Sequence, residues 1–136
     1  MREVFADTYY FLALLGIGDA GHSRAVAMSR TARKRGWRLV TTGWVLTELG
    51  DALCLPADRP AFVRTVTAVR SDESFEVVSM TGALFNSGFD FFKTRPDQEW
   101  SFTDCISFVV MKERGITDAL TGDHHFEQAG FTALLK

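Results

Sequence analysis

A chain of 136 residues, 46% hydrophobic and 24% charged, has the composition of one globular domain and excludes a disordered chain. Its 15 Lys and Arg against 17 Asp and Glu leave a net charge of −2, so any hold on nucleic acid requires a local basic patch or a bridging metal. No apolar run is long enough to cross a bilayer, the N-terminus lacks the pattern of a signal peptide, and Cys54 and Cys105 read as buried thiols of a cytoplasmic protein.

The expected elements alternate along a single domain spanning 1–136. Glu3 to Ala6 forms a short strand ended by Asp7. Thr8 to Leu15 is an apolar helix broken by Gly16, Gly18 and Gly21. A second helix starts at Asp19 or His22 and runs to Arg33, Lys34 and Arg35, closed by Gly36. Arg38 to Thr41 is the second strand, after which Thr42 caps a helix that stops before Pro56. Asp58 and Pro60 open the next helix, with an apolar stripe at Phe62, Val63, Val66 and Val69. Phe75 to Val78 is the third strand. The helix from Thr81 to Thr94 carries Phe85, Phe89 and Phe92, a stripe read as core or subunit interface.

The stretch from Trp100 to Met111 is the centre of the chain. Ser101 and Asp104 fit a capping box, and the run that follows is apolar nearly all round, the pattern of a buried helix. Thr117 to Thr121 and Phe131 to Leu134 complete the strands. Strands separated by helices imply parallel pairing through right-handed crossovers, hence an α/β sheet covered on both faces. Ligands in such folds collect at the carboxyl ends of the strands.

That rule gives four acids a common address. Asp7 follows strand one, Asp123 follows strand four, Asp104 opens the central helix, and Glu48 lies in the helix after strand two among Trp44, Val45, Leu46 and Leu49. Each alone reads as a helix cap or a solvated charge. Together, with no lysine or arginine beside them in sequence, they repel and raise each other's pKa unless a cation intervenes. Carboxylates of this kind suit Mg²⁺ or Mn²⁺, which orient and acidify a water and stabilise charge on a leaving oxygen.

The same residues carry a resemblance. Val4-Phe-Ala-Asp7 before an apolar helix, Thr41 to Glu48, Trp100 to Asp104, and Ala119 to Phe126 running on to Phe131 together resemble a PIN domain over essentially the full chain. The resemblance implies an α/β/α sandwich with a five-stranded parallel sheet in the order 3-2-1-4-5. It implies a metal-dependent ribonuclease of the toxin–antitoxin kind or an RNA-processing PIN nuclease, leaving 5′-phosphate and 3′-hydroxyl ends. Asp7, Glu48, Asp104 and Asp123 match the family's acidic positions, with Thr121 at the hydroxyl position beside the last. Asp7 and Asp104 are then the main Mg²⁺ or Mn²⁺ ligands, Glu48 holds a water or the metal, and Asp123 completes the set. The implied partners are RNA and a cognate antitoxin protein, with no membrane, and the apolar segments 8–15 and 84–92 add a second copy in a homodimer.

Two rivals stand beside this reading. One is a PIN-like module that has lost catalysis and acts through a protein partner. The other is a Mg²⁺-dependent phosphatase with Asp7 as nucleophile; enzymes of the haloacid-dehalogenase type carry a second Asp two residues on, where this chain has Tyr9. The tandem His124 and His125 are expected to face solvent, and the Arg30 to Arg38 cluster to be a solvated helix end. The apolar segments 8–15 and 84–92 are expected to offer surface for a partner.

Overall fold

The computed structural model describes residues 1–18 and 21–136. Five parallel strands form one sheet in the order β3-β2-β1-β4-β5: β1 (Glu3–Ala6), β2 (Arg38–Thr42), β3 (Phe75–Val78), β4 (Asp118–Leu120) and β5 (Thr132–Ala133). Between them run α1 (Thr8–Leu14), α2 (His22–Arg35), α3 (Gly43–Ala52), α4 (Arg59–Ser71), α5 (Gly82–Lys93), α6 (Phe102–Arg114) and α7 (His124–Gln128). The fold is the expected α/β architecture. α2 begins at His22, and Asp19, the other expected start, lies outside the described residues.

The chain winds outward from β1 to β3, then returns to the far side of β1 for β4 and β5. Right-handed crossovers send the helices of the two directions to opposite faces. α1 packs on α2 and α3, and α3 on α4; α5 packs on α6, and α6 on α7. The strand order reverses between β1 and β4, the point where an open parallel sheet leaves a crevice at its carboxyl edge.

β1 is apolar without alternation because it is covered on both faces, and Val4, Phe5 and Ala6 are fully buried. α6 buries more residues than any other helix, as its composition required. Cys105, Ile106, Phe108 and Met111 are all at or below 1% exposure, with Phe108 in edge contact with Trp100 and Phe126. Its capping box is complete: Asp104 N–H donates to Ser101 Oγ at 3.0 Å, and Ser101 N–H donates to Asp104 Oδ2 at 3.3 Å. α5 comes so close to α6 that a Cβ on Gly88 would sit 2.4 Å from Ile106 Cγ1.

Three expectations are corrected. Cys54 is exposed, because α3 ends at Ala52 and leaves it in the following loop. Val63 is 61% exposed, since α4 buries a narrower stripe than its apolar residues outlined and only Val69 of that helix is fully enclosed. The segment 8–15 is largely core: Tyr10, Phe11 and Ala13 are buried. The segment 84–92 does present surface, with Phe85, Phe89 and Phe92 at 44%, 47% and 45% exposure, which makes that stripe a surface feature and not core.

Candidate active site

The four acids expected from the sequence converge at the carboxyl edge, beside the β1/β4 reversal. β1 pairs with β4 so that Ala6 stands opposite Leu120, and the next residues along are Asp7 and Thr121. Thr121 Oγ1 donates to Asp7 Oδ2 at 2.9 Å, and the same hydroxyl accepts from Asp123 N–H at 3.0 Å. One buried threonine thus ties the two aspartates to neighbouring strand ends. Asp123 also caps α7, accepting from His125 N–H at 2.9 Å.

Glu48 arrives from the other direction. β2 runs beside β1, Thr41 Oγ1 donates to the carbonyl of Ala6 at 2.9 Å, and Thr42 caps α3 through Val45 N–H at 3.1 Å. That launches α3 from the same edge and sets Glu48 where Thr8 Oγ1 donates to its Oε1. Asp104 comes from α6, which packs against α3 and α7.

Three of the four acids are raised by burial and by one another's charge. Burial, reinforced by the charges of Asp104 and Glu48, pushes Asp7 up to about 7 against the opposing hydrogen bond from Thr121. Glu48 is raised chiefly by burial, then by Asp104, Asp123 and Asp51, while Thr8 counteracts. Asp104 is raised by burial and by Asp123, with Ser101 and His125 pulling the other way. Asp7 and Asp104 are only 4% and 7% exposed, and among the described residues no lysine or arginine forms an ion pair with any of the four. Two buried carboxylates at such range without a cation are costly. All-oxygen donors that are hard, anionic and held by hydroxyl groups fit Mg²⁺ or Mn²⁺.

His125 is the residue that sequence reasoning misplaced. It is folded inward at 19% side-chain exposure, its Nδ1 lying 3.3 Å from Asp104 Oδ2 and 3.5 Å from Asp123 Oδ1. His124, at 63%, faces solvent as expected. Adjacent residues on a helix point about 100° apart, so a tandem pair has two fates, and the buried Phe126 just beyond was the available signal. Tyr9, where a phosphatase of the rival kind carries its second aspartate, packs its ring on Gly122 and Gly21; a Cβ on Gly122 would lie 2.5 Å from that ring.

The basic residues at the end of α2 lie at the opposite, amino edge, where Arg38 and Arg114 pair with Glu3 and Glu76. A cavity of about 520 Å³ is also there, between Arg33, Trp37, Arg38 and Phe75, away from the acids. Among the described residues no helix is long and apolar enough to cross a membrane.

No protein-family model matches the chain. It is 31% identical over 133 residues to the 23S rRNA-specific endonuclease VapC20 of Mycobacterium tuberculosis, in strains CDC 1551 and H37Rv, covering 94% of this chain and 95% of that protein. The crystal structure of M. tuberculosis VapC20, described as a Sarcin-Ricin loop cleaving toxin, superposes with a TM-score of 0.83 at 29% identity, over 95% of this chain and 96% of that one. FitAcB from Neisseria gonorrhoeae shares the fold, with a TM-score of 0.60 at 15% identity over 96% and 94% of the two chains. The full-length match in sequence and structure, together with acids gathered at the β1/β4 edge, places this chain in the PIN-domain family of VapC-type toxin ribonucleases.

Proposed function

We propose that the chain is a Mg²⁺- or Mn²⁺-dependent endoribonuclease whose substrate is a structured loop of ribosomal RNA. The observation that carries the reading is the convergence of Asp7, Glu48, Asp104 and Asp123 with no lysine or arginine partner among the described residues. Asp7 and Asp104, the two most buried, would hold the cation, and Asp123 would complete the set. Such a cation supplies positive charge to the phosphate in flight and a water of lowered pKa.

The chain's own groups do the rest. Thr121 fixes the orientation of Asp7 through its Oδ2, which would hold that carboxylate in place for a cation. Glu48, held through Oε1 by Thr8 and raised by burial, is the proton acceptor we assign to the attacking water. Hydrolysis leaves a 5′-phosphate and a 3′-hydroxyl. The ribosomal target rests on the relative: VapC20 is a 23S rRNA-specific endonuclease. Primer extension across 23S rRNA after incubation with protein and Mn²⁺ tests it. A single strong stop supports the assignment, whereas uniform degradation or no stop rejects a ribosomal loop as target.

The same reading gives the protein two partners. A cognate antitoxin covers the acidic crevice and opposes its charge with a basic side chain. A second copy docks on α5, where Phe85, Phe89 and Phe92 form an exposed apolar face backed by edge contacts of Phe85 and Phe92 with Phe102.

A further inference from the structure

We propose that Asp123, His124 and His125 form a second cation site, of mixed nitrogen and oxygen donors, that takes a borderline transition metal such as Zn²⁺. One ligand atom from each residue can be chosen so that all lie within 4.8 Å of one another. Two of the separations are closer still: His124 Nδ1 is 3.6 Å and His125 Nδ1 3.5 Å from the same Asp123 Oδ1. Metal–ligand bonds of about 2.0–2.1 Å in a tetrahedron put neighbouring donors about 3.3 Å apart. Both histidine–aspartate separations therefore stand near the edge length of such a tetrahedron before any ion arrives.

The site is also held in place from behind. Asp123 is fixed by Thr121 Oγ1 at 3.0 Å and by its cap to His125 N–H at 2.9 Å. Phe126, fully buried, anchors the turn that carries both imidazoles. Asp104 Oδ2, 3.3 Å from His125 Nδ1, stands within reach as a fourth donor. The exposed flank of His124 leaves an entry path from solvent. Imidazole nitrogen favours zinc, copper and nickel over Mg²⁺, so this donor set differs in kind from the oxygen cluster next to it. Asp123 belongs to both, and so does Asp104 where it serves as the fourth donor.

The test uses the full chain and ZnCl₂ in competition with a chromogenic chelator, comparing wild type with His124→Ala, His125→Gln and Asp7→Asn, each checked for native circular dichroism. Exposed His124 makes its variant the one certain to keep the fold. The expected result is a tight Zn²⁺ site in wild type and in Asp7→Asn, weakened on the order of tenfold or more in both histidine variants. Mn²⁺ binding should show the converse, falling in Asp7→Asn and persisting in His124→Ala. Equal Zn²⁺ affinity in wild type and His124→Ala, or a loss in Asp7→Asn as large as in the histidine variants, overturns the proposal. The ribonuclease reading fails separately, by loss of Mn²⁺-dependent cleavage with the Zn²⁺ pattern intact.

Discussion

Thr121 and Asp7, 114 residues apart in sequence, are joined by a 2.9 Å hydrogen bond at the point where the strand order reverses. The bond favours the charged form of an aspartate that burial drives toward neutrality. Removing it with Thr121→Val should raise Asp7 further, loosen the cation, and lower cleavage by roughly 10–100-fold. Thr121→Ser should restore most of the rate. Cleavage rates for the two variants, read beside their Mn²⁺ affinities, check the role; a loss in Thr121→Ser with Thr121→Val near wild type would mean that the methyl packing matters and the hydroxyl does not.

The metal-free protein should lose stability as pH rises. Asp7 keeps its proton to about 7 when folded, against the ordinary 3.8 of an unfolded chain, so the folded state binds the extra proton between those values. The stabilisation is complete below the unfolded value and is lost as pH climbs through the folded one, an effect of order 4 kcal/mol. At the acid end the sign reverses, as Asp72 and Glu76, held low by Ser74 and Arg114, take up protons. Thermal melts from pH 4 to 8 in EDTA should fall with pH. Adding Mn²⁺ at pH 8 should restore the melting temperature, and Asp7→Asn should flatten the slope. A melting temperature in EDTA that climbs steadily to pH 8 contradicts the buried, raised carboxylate.

Gly88 sets the distance between α5 and α6. A methyl there meets Ile106 Cγ1 at 2.4 Å, and Ile106 is fully buried with little room to turn. Gly88→Ala should cost about 1–3 kcal/mol of stability by overpacking, although alanine is the better helix former. Urea denaturation decides between the two effects: a variant as stable as wild type shows that the helices part at no cost.

The phenylalanine face of α5 should govern oligomeric state. Phe89 is 47% exposed, with Lys93 over its ring, so Phe89→Glu removes apolar surface without emptying the core. Light scattering should show a dimer for wild type and a monomer for the variant at the same concentration. A wild-type monomer, or a dimer indifferent to the substitution, shows that the second copy docks elsewhere.

The sequence disclosed the site better than the surface. Asp7, Glu48, Asp104 and Asp123 were legible because strand ends and helix starts are marked by local signals, namely caps, hydroxyl residues and changes of period, and because parallel crossovers bring those ends to one edge. The capping box of Ser101 and Asp104 was legible for the same reason. His125 was not, since its inward turn depends on how α7 docks against α6, a tertiary fact. Val63 and Cys54 were misjudged because apolar character sets what a residue prefers, while the width of the neighbouring element sets how much of it is covered.

Asp104→Asn separates the carboxylate cluster from every other candidate active site. Asp104 is buried, its backbone N–H is capped by Ser101, and asparagine has the same shape, so the fold should persist. RNA cleavage with Mn²⁺ would be followed for wild type and variant under identical conditions, with EDTA as control. The expected result is cleavage by wild type alone, abolished by chelation, and a variant that has lost both Mn²⁺ binding and activity. Metal-dependent cleavage retained by Asp104→Asn, or wild-type cleavage that survives EDTA, would contradict the carboxylate cluster as the active site.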